Sequence, residues 1–276
     1  MKKRFKKIAL SGLLIGCVTV GGTGMAVLAN GNAYENFKTA AFSTMQVENM
    51  TVNADFTVKQ NGEVIVSGNG IIQTDGDTNY TTGSFITDGK TIEIESISDD
   101  SSMIHRIDEQ YTKVVKDTDD RQDRRDDLND SPNTVKMMKM ILDVLVGDTK
   151  THFTGDNNHI SVNLEGAQIP ELLNVSIAAA SEQSEHRSKD AFTSINFDDY
   201  DQVRIQSLKL ESDLQDGYLV NNKISVVMIG TDQTGKNQEF EFIYHTELSD
   251  IGSTTPGTMD VAGKDIKEVT EDHFYR

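Results

Sequence analysis

Hydrophobic and polar residues alternate from Thr51 onward: Val52, Ala54, Phe56 and Val58 are apolar, while Thr51, Asn53, Asp55, Thr57 and Lys59 are polar. Successive strand side chains point to opposite faces, so a period of two predicts a half-buried strand. Asn61-Gly62 follows, a pair suited to the two positive-φ positions of a type I′ hairpin turn. The return through Val64-Ile65-Val66 fits less tidily, because a two-residue turn puts Ile65 opposite Val58 and sends Val64 and Val66 to the other face. Either both faces are partly covered there or the turn is longer. Asp75-Gly76-Asp77 and Asp88-Gly89 separate strands near Tyr80–Ile86 and Thr91–Ile97, and another strand runs through Tyr111–Val115. Strands joined by such short turns make an antiparallel meander.

Elsewhere the period is helical. Asn32-Ala33-Tyr34-Glu35 has the spacing of a capping box, and Tyr34, Phe37, Ala41 and Met45 follow at helical intervals. Ser131-Pro132 starts a second helix whose buried stripe is Val135, Met138, Leu142 and Leu145 and which Gly147 stops. A third begins near Ile169-Pro170-Glu171, with Leu172, Leu173, Ile177 and Ala180 on one side. Between them, Thr151–Thr154 and His159–Asn163 read as a hairpin around Gly155–Asn158. The final third returns to strands: Val203–Leu210, then Tyr218–Val220 turning at Asn221-Asn222 into Ile224–Ile229, then Phe240, Phe242 and Tyr244 alternating with Glu239, Glu241 and Ile243. These elements predict an α+β fold in which a curved antiparallel sheet, an incomplete barrel, wraps around two or three amphipathic helices. Residues 30–256 form one domain and 257–276 a polar tail.

The start of the chain changes the picture from fold to location. Lys2, Lys3, Arg4, Lys6 and Lys7 precede an uncharged stretch from Ile8 to Ala29, the layout of an export signal. Cleavage after Ala29 is the preferred outcome, since Val27 and Ala29 are the small residues a signal peptidase accepts. Leu14-Ile15-Gly16-Cys17 offers lipidation of Cys17 as a second outcome, although the uncharged VTVGGTGMAVLA after it makes a poor tether. An uncleaved anchor with its basic end inside the cell is the third. Each places the body outside the cytoplasm, secreted or held at the envelope, with membrane contact only through the N-terminal segment.

Charge narrows the partners. Residues 1–29 hold five of the 26 Lys and Arg and none of the 44 Asp and Glu, so removing them takes the formal charge from −18 to −23. That field repels phosphate backbones and excludes nucleic acid as a natural partner. Cys17 is the single cysteine, so a body cut at Ala29 has neither disulfides nor thiolate chemistry. Asp117, Asp119 and Asp123 lie in an acidic run that suggests a calcium loop. An EF-hand frame from Asp117 would, however, place Gln122 at its required Gly and Leu128 at its required Glu. A solvated loop is therefore preferred.

His152 and His159 would share the polar face of their hairpin if Thr154 faces His159, but no third metal ligand is near. Gly230-Thr231-Asp232-Gln233-Thr234-Gly235-Lys236-Asn237 has the glycine and lysine spacing of a P-loop. It feeds a strand instead of a helix, so it reads as a hairpin turn. No catalytic signature and no cofactor motif appears, and the protein is expected to be non-enzymatic.

The order of export signal, helix, hairpins, central helices and closing strands resembles the half-barrel of lipoprotein carrier proteins, the LolA and LppX-like group, over most of residues 33–250. NAYENFKTAAFSTMQVENMTVNADFTV and ELSDIGST also look like stretches of exported proteins from Gram-positive bacteria. The resemblance implies an incomplete barrel that holds an acyl chain and carries over no catalytic residue. The expected function is binding of an apolar, lipid-like ligand, with Met138, Leu142, Leu145, Phe56, Phe240 and Phe242 as candidate cavity-lining residues. The alternative is an envelope interaction or sensor module with a filled core and an acidic, calcium-binding surface that meets a protein partner.

Overall fold

A computed structural model describes residues 33–115, 143, 146–171, 173–174 and 200–270. One twelve-stranded sheet organises them, in the order β12-β6-β5-β4-β3-β2-β1-β11-β10-β9-β8-β7. The strands are β1 (Asn49–Gln60), β2 (Glu63–Asp75), β3 (Thr78–Thr87), β4 (Lys90–Ser98), β5 (Ser102–Ile107) and β6 (Gln110–Val115), then β7 (Thr154–Gly155), β8 (His159–Glu165), β9 (Tyr200–Gln215), β10 (Tyr218–Asp232), β11 (Asn237–Ser249) and β12 (Ile266–Thr270). All neighbours are antiparallel except β12, which lies parallel to β6. Helix α1 (Ala33–Met45) packs on one face, called inner here.

The expected α+β half-barrel wrapped around two or three helices is overturned: an open, mixed sheet dominates the chain. The strands outrun the alternation that revealed them. β9 and β10 extend over 16 and 15 residues, and β5 and β12 lie where no strand was expected. The chain does not turn at Asn221-Asn222. Both residues sit inside β10, and the turn is at Asp216-Gly217, with φ of 53° and 84°.

The hairpin at Asn61-Gly62 does use two positive φ values, 51° and 85°. Its register is resolved by a bulge rather than a longer turn: Val58 faces Val66 and Lys59 faces Val64, leaving Ile65 as the extra residue. The bulge returns Val66 to the inner face at 2% exposure and leaves Val64 outside at 57%.

Cross-strand pairing defines the inner face from edge to edge. One row runs Ile160, Ser212, Asn222, Thr246, Ala54, Gly70, Gly83, Ile94 and Ile107 across nine strands. On one side of that row, Leu210, Ile224, Tyr244 and Phe56 form the next, followed by Leu208, Val226, Phe242 and Val58. Burying such side chains stabilises the sheet by about 1.5–3 kcal/mol each.

α1 closes one end of this face. Ala40 packs with Ile160, Leu214 and Leu219, and the Leu219 N–H donates to Thr44 Oγ1 at 2.7 Å. Tyr34, fully buried, donates its hydroxyl to Asp143 at 2.7 Å and meets Phe153 edge-on. Lys38 and Lys150 also reach Asp143, at 3.0 and 3.1 Å. The hydrogen bond from Tyr34, against partial desolvation, and then the two lysines hold the Asp143 carboxyl down at about 2.

On the outer face the segment after β11 forms a strap. Asn49 Nδ2 donates to the Thr254 carbonyl, and the Thr51 and Thr254 hydroxyls lie 3.0 Å apart. The Gly257 N–H donates to Gln73 Oε1 at 2.9 Å, and Gly257 passes so close to Tyr80 that a Cβ there would lie 2.7 Å from the ring. Lys264 then crosses Tyr111, and the strap ends as β12.

Candidate functional site

A cleft of about 800 Å³ opens at the β8–β9 end of the sheet. Its cause is a mismatch in strand length. β8 stops at Glu165, opposite Ser207, whereas β9 reaches back to Tyr200. Past Glu165 the chain folds into the short turn Gly166–Gln168, where Gln168 Oε1 accepts the Glu165 N–H at 2.9 Å. Asn174 Oδ1 then accepts the Ile205 N–H at 2.9 Å, capping a backbone donor that β8 would otherwise have covered. A second turn, Gly147–His152, forms the opposite wall and is tightened by Thr149 Oγ1 donating to the Val146 carbonyl at 2.6 Å.

The cleft mixes two chemistries. Val146, Ile169, Pro170, Ile205 and Ile229 supply apolar wall, and Arg204, Asp148, Glu171 and Gln206 supply polar groups. Ile169 and Ile205 also belong to the inner-face cluster with Val162, Leu164, Leu210 and Met228. The half-buried Leu208, Ile224, Val226 and Phe242 pack against that cluster, and Phe242 also packs on the next one, around Phe56, Val58, Val66 and Phe85. An apolar track therefore runs from the cleft to the middle of the sheet.

Phe56 and Phe242 share the inner face on neighbouring strands, because Val58 pairs with Phe242 and Phe56 with Tyr244. Phe240, 1% exposed, meets Tyr200 edge-on at 5.0 Å and serves as core. Met138, Leu142 and Leu145 lie outside the described residues, as do Asp117, Asp119, Asp123, Cys17 and the bond after Ala29.

His152 and His159 are not brought together as a hairpin pair. Thr154 faces Ser161 instead of His159, and His152 ends the Gly147–His152 turn. His159 pairs across β9 with Asp213, Nδ1 to Oδ1 at 2.7 Å. A second pair that sequence reasoning missed joins His245 Nδ1 to Asp55 at 2.9 Å and His245 Nε2 to Asn221 at 2.9 Å. Both lie on the outer face, and neither lines the cleft. Among the described residues no group of acids and histidines is arranged to hold a metal ion.

The P-loop-like turn has a physical explanation. Asp232 Oδ1 accepts the Thr234 hydroxyl and the Thr234 and Lys236 amides, and Oδ2 accepts from Gln238. These bonds, led by the Thr234 hydroxyl, hold the Asp232 carboxyl at about 2. The loop amides thus bind an anion supplied by the chain itself, in the place where a P-loop would bind phosphate.

The polar row of the inner face interrupts the apolar one. Ser212 Oγ and Asn222 Oδ1, on paired residues, are buried with no hydrogen-bond partner among the described residues. Arg204 carried no sequence signal as a site residue, since it alternates like its neighbours; turns far away in sequence make the cleft around it. No family model matches the chain, and no curated protein matches it.

Proposed function

We propose that this is a non-enzymatic, extracytoplasmic binding protein for an amphipathic, lipid-like ligand. The ligand's apolar part lies against the inner-face cluster and its polar part sits in the cleft. The observation that carries this reading is the continuity of the two: Ile169 and Ile205 line the cleft and belong to the cluster that leads to Phe242. A cleft of about 800 Å³ whose wall is shared about evenly between apolar and polar groups has the size of a small-molecule site and suits an amphipathic occupant. The export layout of residues 1–29 and the formal charge of −18 favour a lipid-like solute over nucleic acid.

Delipidated protein is expected to take up a fluorescent fatty acid saturably at one site, and Phe242→Ala is expected to weaken that uptake without changing secondary structure. Absence of uptake by the parent protein overturns the proposal.

A further inference from the structure

Resting on that reading, we propose that the cleft receives a zwitterionic head group, one that carries an anionic and an ammonium charge together. Three charged side chains line it, Arg204, Asp148 and Glu171, all exposed. Among the described residues none of them forms an ion pair. Arg106, the other described arginine, is clamped between Glu95 at 2.9 Å and Glu93 at 3.3 Å.

Three of the neutral polar side chains of the cleft are already engaged. Thr149 donates to Val146, Gln168 accepts from Glu165, and Asn174 accepts from Ile205 and donates to Glu171 Oε2 at 3.4 Å. Recognition is left to the three charges and Gln206. A guanidinium presents a planar fork of donors that fits a carboxylate or phosphate and stays charged at any working pH. Asp148 and Glu171 would repel a plain anion from that fork, and Arg204 would repel a plain cation from the two carboxylates. A head group with both charges meets every charged lining residue with its complement. Ile169 and Ile205, which line the cleft and belong to the inner-face cluster, stand ready to take the first part of an apolar chain.

The same chemistry has two sources, a lipid head group or a free zwitterion, and calorimetry on the purified protein separates them. The probes are a single-chain phosphoethanolamine lipid below its micelle concentration, the phosphoglycerol lipid of the same chain, a fatty acid, and glycerophosphoethanolamine. The phosphoethanolamine lipid is expected to bind roughly tenfold tighter than the phosphoglycerol lipid. Arg204→Gln is expected to weaken it by a similar factor, and the double variant Asp148→Asn/Glu171→Gln to abolish the discrimination. All three substitutions lie on exposed side chains, so unchanged melting temperatures will show that the variants fold.

Equal affinity for the two lipids, or an Arg204→Gln variant that binds as the parent does, overturns the zwitterion site. If the fatty acid still binds in that case, the apolar-ligand reading stands alone. Tight binding of glycerophosphoethanolamine with no gain from the chain supports the zwitterion site as one for a free solute and overturns the lipid reading. Binding of none of the probes overturns both.

Discussion

The sheet has two halves that are protected in opposite ways. β8 to β10 are covered on the inner face by α1, through Ala40 against Ile160, Leu214 and Leu219. On their outer face they carry ion and histidine pairs such as His159 with Asp213. β2 to β6 are crossed on the outer face by the strap, through Gly257 against Tyr80 and Lys264 over Tyr111. The N-terminal helix therefore guards the C-terminal strands, and the C-terminal strap guards the N-terminal ones. An open sheet has two faces and two edges to protect, and here each end of the chain protects the half that it did not build.

The sharpest way to break this comparison is to open the helix side. Ile160 is fully buried, so Ile160→Ala is expected to lower stability by about 3 kcal/mol in urea unfolding. The unfolding is expected to remain a single transition, because both halves share the ladder between β1 and β11. Two separate transitions would show that the halves are independent and the crosswise protection incidental.

A second test separates the halves by pH. His105, on the inner face of β5, is pushed down to about 4 by burial. The unfolded chain takes up that proton near pH 6.5, so the unfolded state binds more protons between those values and stability falls as pH drops from about 6.5 to about 4. The loss approaches about 3 kcal/mol, and His105→Gln is expected to flatten it. Asp143, in the α1 contact, is held down to about 2. Its stabilisation persists above pH 3.8 and fades only as pH falls further, so on acidification the response of the β2–β6 half, which holds His105, begins at higher pH. Thermal melts across pH 3–7 will show whether the His105 substitution removes the upper part of the curve alone.

The smallest effect belongs to the strap. Gly257→Val forces a Cβ against the Tyr80 ring and is expected to cost about 1–2 kcal/mol, confined to the outer face. Hydrogen exchange should rise in β12 and β6 while β8 to β10 remain protected. Loss of protection in β8 to β10 as well would erase the distinction between the two coverings.

The sequence made some of this legible and hid the rest for identifiable reasons. β1 was visible because its inner residues Val52 to Val58 are apolar and its outer ones polar, so one strand carries the whole signal. The bulge at Ile65 was hidden, because an extra residue is defined only against its partner strand. Asn221 and Asn222 imitate a turn in composition, yet Asn221 bonds to His245 and Asn222 to Thr246 across β10 and β11. β5 was missed because both of its faces bear apolar side chains, Met103 and Ile107 on one, Ile104 on the other. β12 was missed because IKEVT is half polar and pairs with residues more than 150 positions away. The cleft was illegible for a similar reason: it arises where one strand is shorter than its neighbour, and strand length is decided by pairing.

The ladder between β1 and β11 also sets a clock. Asp55 meets His245 across 190 residues of chain, whereas the hairpins on either side join near neighbours. The β1–β6 meander can form by local pairing before the strand destined to lie beside β1 has docked. Until the last hairpin arrives, β1 presents a bare row of backbone donors and acceptors. Contacts of such long range fold slowly, so the chain is most vulnerable between the pairing of β6 and the docking of β11.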